Sequence, residues 1–160
     1  MKTLDWLNSE IEKGSVCEAY TSKAKGCYSK KQLFDLACDI NGAQYLCESK
    51  TLDIDVIEKE FANFINGRCK NTIVNTTDGE YTSAIYCKHN ENVYVDTTLT
   101  TFLGCKGKVE LKEYGCFFLF IDSTSDLIVY CPPTTMVKVE TYNGGKVNVV
   151  GEGKIKVIHK

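Results

Sequence analysis

Val109-Glu-Leu111, Phe118-Leu-Phe120, Leu127-Ile-Val129, Val137-Lys-Val139, Val147-Asn-Val149 and Ile155-Lys-Val157 are short apolar–x–apolar triplets, and Val93-Tyr-Val95 stands ahead of them. Their starts, from Val109 onward, are separated by 9, 9, 10, 10 and 8 residues. Successive side chains of a strand point to opposite faces, so each triplet turns two residues inward and one outward. A short strand returning at a steady interval, with polar or glycine punctuation between, predicts the coils of a β-solenoid over residues 91–160. An ordinary β-sandwich is the alternative, in which the same triplets would sit on antiparallel hairpins.

Working back toward the N-terminus, the period changes. Thr72-Ile-Val-Asn-Thr76 and residues 81–88 read as strands joined by a turn at Thr77-Asp78-Gly79. Before them the apolar positions recur at helical spacing. Thr3 is a candidate N-cap for a first helix carrying Leu4, Leu7 and Ile11, closed by Gly14. Ser15-Val-Cys-Glu18 and Ser29-Lys-Lys-Gln32 both have capping-box spacing. Leu33, Phe34, Ala37 and Cys38 form one stripe, resumed after Gly42 through Ala43, Tyr45 and Leu46. A helix opening at Asp55 and stopped by Gly67 completes a set of four. The expectation is an α+β chain: a helical N-terminal domain over 1–70, a bundle of short helices, followed by a β-solenoid domain over 71–160. Short helices are marginal alone, so the two parts should pack directly. Pro132-Pro133, Asn143-Gly-Gly145 and Gly151-Glu-Gly153 read as corners.

Charge excludes one large class of partner. Residues 1–70 hold 10 Lys+Arg against 11 Asp+Glu, and residues 71–160 hold 9 against 10, so no basic face or tail marks a nucleic-acid binder. No signal-peptide pattern follows Met1, and the longest apolar run, Cys116–Ile121, is far too short to span a bilayer. No membrane association is expected. Nine cysteines, an odd number without C-x-x-C spacing, read as reduced and mostly buried thiols. The 18-residue spacing of Cys69, Cys87 and Cys105 suggests thiols stacked on equivalent inward positions.

Catalytic signatures are missing: no G-x-S-x-G, H-E-x-x-H, phosphate-binding G-x-x-x-x-G-K-[ST] or G-x-G-x-x-G occurs. The hexapeptide rhythm of left-handed β-helix acyltransferases is also missing. Asp122 and Asp126 bracket a Ser-Thr-Ser corner, read as a turn in preference to a cation loop. We expect no enzyme, no cofactor and no metal.

The pattern's one functional pointer is apolar. If Phe118 and Phe120 face inward, then Phe117, Leu119 and Ile121 face outward, joined one stride later by Ile128 and Tyr130. Such a strip should be covered, either by the N-terminal helices or by a subunit or partner. Arg68, Tyr81, Tyr86, Lys88 and Tyr94 lie near the helix–solenoid junction in sequence and are candidates for a small-ligand site.

The run Leu33-Phe-Asp-Leu-Ala-Cys38 to Cys47, then residues 61–67, Tyr81-Thr-Ser-Ala-Ile-Tyr86 and the Val-x-Val triplets resemble the layout of small uncharacterised proteins of phages and prophages of gut bacteria. The resemblance implies a mobile-element context, in the host-cell cytoplasm or on a virion, and brings no catalytic residue. The expected role is a non-catalytic structural or interaction protein. Its partner would be itself, as a homo-oligomer with a trimer among its candidate forms, or another phage or host protein. The alternative is a counter-defence accessory protein that binds a small-molecule signal or a host protein.

Overall fold

A computed structural model describes residues 2–14, 17–49, 52–65, 72–76 and 79–160. Its helices are α1 (Leu4–Gly14), α2 (Glu18–Lys25), α3 (Lys30–Ala37), α4 (Ile40–Glu48) and α5 (Ile54–Glu60). The strands are β1 (Thr72–Thr76), β2 (Gly79–Cys87), β3 (Val93–Val95), β4 (Leu99–Leu103) and β5 (Lys106–Leu111). They continue as β6 (Cys116–Ile121), β7 (Asp126–Cys131), β8 (Met136–Thr141), β9 (Lys146–Gly151) and β10 (Lys154–His159).

Local chemistry sets the helix starts. The Thr3 hydroxyl accepts from the Trp6 N–H at 3.1 Å, and Ser29 accepts from the Gln32 N–H at 3.2 Å, as their spacing implies. Two starts differ from expectation. The stripe expected to resume after Gly42 is a separate helix, because Asp39 caps it by accepting from the Gly42 N–H at 2.7 Å. The last helix begins earlier than Asp55, with Asp53 as its N-cap. Cys17 occupies the N-cap of α2 and its side chain does not cap the helix; Ser15 and the expected stop at Gly67 lie outside the described residues.

From β3 onward successive strands alternate between two sheets, one ordered β1-β2-β4-β6-β8-β10 and the other β3-β5-β7-β9. Every described pairing is parallel except β1 with β2. Each coil therefore contributes one strand to each sheet, and roughly four such turns stack into a β-solenoid. The sandwich alternative is excluded by this parallel order, since hairpin-connected strands pair antiparallel. The pairs Lys106↔Asp126, Asp126↔Lys146 and Cys116↔Met136 each step by twenty residues, two of the strides read from the sequence.

Two cores result. One fills the space between the sheets: Val95, Phe102, Val109, Leu111, Leu119, Ile121, Leu127, Val129, Val137 and Val139. The other lies on the outer face of the six-stranded sheet, where Leu7, Ile11, Phe34, Ala43 and Ile57 meet Ile85, Leu99, Leu103, Phe120 and Tyr142. Helix α4 rests on β4 and β6, and α5 on β2. Burying that sheet face is what holds short helices in place.

The parity expected for β6 is reversed. Phe117, Leu119 and Ile121 point into the solenoid, Phe118 points to solvent, and Phe120 points outward beneath the helices, parallel to the Tyr142 ring at 6.3 Å. The ladder decides this: Leu119 pairs with Val139 and Phe118 with Lys138. A slip of one residue would turn Lys138 or its neighbours inward, so the polar positions of β8 fix β6 as well. The cysteine stack is also corrected. Cys87 pairs with Leu103 and turns toward Ile54, whereas Cys105 sits at a corner, bonded to the Tyr86 carbonyl at 3.4 Å. Coils at this end step by sixteen residues (Ser83↔Leu99), so an 18-residue spacing does not return to the same place. Cys69 is outside the described residues.

Candidate functional site

The outer face of the four-stranded sheet is the one broad β-surface that the described helices leave open. Parallel register sets its side chains in ladders: Tyr94, Glu110, Tyr130 and Val150 form one, and Lys108, Ile128 and Asn148 the next. Tyr94, Ile128, Tyr130 and Val150 are 57, 43, 46 and 40% exposed. Together with Lys108 and Glu110 they line a shallow depression of about 560 Å³. The expected five-residue strip is thus dissolved. Phe117, Leu119 and Ile121 are interior, while Ile128 and Tyr130 face out and acquire Tyr94 and Val150 as neighbours. Those two were hard to find from sequence, because β3 and β9 are brought alongside β7 only by the coil repeat.

The four described junction candidates do not gather. Tyr81 is half-buried on β2, where burial pushes its phenol above the usual value, with Asp39 adding to the shift. The Tyr86 ring lies parallel to Phe102 at 5.6 Å and tilted against His89 at 5.5 Å, closing the first coil. Lys88 reaches away to Asp55 and to Glu58 (3.0 Å), and these carboxylates hold its ammonium well above the ordinary lysine range. Tyr94 is on the other sheet, and Arg68 lies outside the described residues. Tyr81, Tyr86 and Lys88 serve the join between helices and solenoid.

Asp122 organises a corner. Its carboxylate accepts from the Gly104 N–H at 3.0 Å, the Ser125 hydroxyl at 2.6 Å and the Thr124 hydroxyl at 2.7 Å. The Ser125 oxygen in turn accepts from the Cys105 N–H at 2.9 Å. Adjacent coils are thereby stapled, and Asp126 points away and is exposed. Replacing Asp122 with alanine removes the acceptor of all three, leaves the part-buried Gly104 N–H without this partner, and should cost about 1–2 kcal/mol, read as a lowered urea midpoint with an unchanged slope.

Cys38, Cys47, Cys87, Cys105 and Cys131 are buried. Burial pushes the Cys105 thiol up to about 11 and raises those of Cys47, Cys87 and Cys131 as well, which disfavours their thiolate forms. Among the described residues no three of His, Cys, Asp and Glu gather into a metal-binding group, and no helix is long and apolar enough to cross a membrane. No protein-family profile, curated protein or solved structure matches this chain.

Proposed function

We propose that this chain is a non-catalytic structural or interaction protein that presents its solenoid as a rigid, self-associating surface. The observation carrying the reading is the patch of four exposed apolar side chains, Tyr94, Tyr130 and Val150 on one ladder and Ile128 on the next, on the four-stranded sheet. Leaving each half in water forgoes on the order of 1 kcal/mol, which a partner would recover. The face is self-complementary: Lys108 and Glu110 lie side by side at its middle, so a two-fold axis there sets Lys108 of one copy beside Glu110 of the other. Stacked ladders suit the task because the contact residues sit on strands and not on loops. The resemblance of the sequence layout to small phage and prophage proteins supports a place in a virion or in the cytoplasm of an infected host.

Sedimentation equilibrium tests the reading. The apparent mass should rise with concentration above the 17.9 kDa of one chain. The double variant Ile128→Asp/Tyr130→Asp should weaken association by about 100-fold or more while leaving the thermal midpoint in place. A wild-type chain that stays monomeric at high concentration overturns self-association.

A further inference from the structure

The last coil differs from those beneath it. In the preceding coil Leu127, Val129, Val137 and Val139 are buried, whereas Val147, Val149 and Val157 are half-buried and Ile155 is exposed. They continue the inward columns of β7 and β8, so they form an apolar floor with nothing above it among the described residues. Among the described strands β10 has a neighbour on one side alone. The Lys154 N–H donates to the Thr135 carbonyl at 2.9 Å and the Lys160 N–H to the Thr141 carbonyl at 2.8 Å. Even-numbered residues therefore bond back to β8. By the alternation of an extended strand, Ile155, Val157 and His159 direct their N–H and C=O groups to the open edge.

The charge at this edge is one-sided. Lys146, Lys154 and Lys156 project outward from β9 and β10, while Glu152 is the coil's single acidic residue. Lys160 is drawn to Glu140 at 3.1 Å; Asp126 stands opposite Lys146 in the ladder without closing an ion pair, and no described carboxylate forms an ion pair with Lys154 or Lys156. A second copy offering the same edge would bring Lys154 and Lys156 against the same residues, like charge beside like charge. What fits is opposite in sign on one face and aliphatic on the other.

We propose that the open β10 edge binds, by strand addition, an extended segment of a partner protein in which acidic residues alternate with aliphatic ones. The aliphatic side chains continue the interior columns over Ile155 and Val157. The acidic ones lie beside Lys154 and Lys156, and the backbone groups of Ile155, Val157 and His159 form the ladder. This edge is separate from the Tyr94–Val150 face, so it stands whether or not that face self-associates.

The test uses the full chain and fluorescence anisotropy of two short capped, labelled peptides, one alternating glutamate with valine and one alternating lysine with valine. The wild type should bind the glutamate peptide at least about ten-fold more tightly than the lysine peptide, with the preference shrinking as salt rises. Lys154→Glu/Lys156→Glu should reverse the preference. Val157→Pro, which removes an edge donor and leaves the β8 ladder intact, should lose both peptides while circular dichroism stays that of the wild type. Ile128→Asp/Tyr130→Asp should bind as the wild type does. Equal binding of both peptides, or binding of neither, overturns the proposal. So does capture of an oligothymidylate in their place, which would make the lysines a phosphate-binding patch.

Discussion

Truncating Leu119 to alanine should lower the unfolding free energy by about 3–4 kcal/mol, while Phe118→Ala should cost under about 1 kcal/mol. The two residues are adjacent, and on chemistry alone the larger phenylalanine would be expected to matter more. Their surroundings decide otherwise. Leu119 is fully buried between Thr100 and Val139 in the inward column, so its loss leaves a cavity enclosed by two sheets. Phe118 is 37% exposed, with the Lys138 ammonium 5.9 Å from its ring centroid, and truncation there leaves no enclosed void. Urea unfolding of both variants, followed by circular dichroism, measures the difference. Equal costs would mean that the parity of β6 is not the one described.

The second large effect is a loss of stability in acid. Glu140 is buried on the outer face of β8, and burial alone would raise its pKa. Bonds from Lys138 (2.9 Å), the Tyr142 hydroxyl (2.7 Å) and Lys160 (3.1 Å) outweigh that and hold it at about 2. In the unfolded chain the same carboxyl titrates near its ordinary value of 4.5. Its contribution is therefore complete above 4.5 and disappears as the pH falls toward 2, a change of roughly 2–3 kcal/mol. Glu60 acts in the same direction, its carboxyl being lowered by Lys30 and the Lys2 N–H. Thermal melts across this range should accordingly show a midpoint that drops steeply in the wild type and less in Glu140→Gln. Identical acid slopes for the two proteins would remove Glu140 from the account.

The same residues mark how far a sequence can be read. Strands with one wet and one dry face announce their parity: Leu127-Ile-Val129, Val137-Lys-Val139 and Val147-Asn-Val149 all turn as their alternation says. Cys116-Phe-Phe-Leu-Phe-Ile121 announces nothing, because helices cover part of its outer face and the run is apolar throughout. The exposed patch suffered from the same gap. Ile128 and Tyr130 were legible as outward positions, but their true neighbours, Tyr94 and Val150, lie on β3 and β9 and are joined to them through the ladders. The Asp122 staple also spans coils, so its corner was visible and its grip on Gly104 was not.

By itself, then, the sequence determined the change from helical to extended period near residue 71, the interval of the coils and the residues that turn their corners. Each of these is a local property of backbone preference and side-chain alternation. The tertiary structure alone decided which way β6 faces, which sheet the helices cover, and which exposed residues share a surface. Those outcomes depend on what a neighbouring coil or helix places against a side chain, and contacts between distant segments leave no periodic trace in either segment.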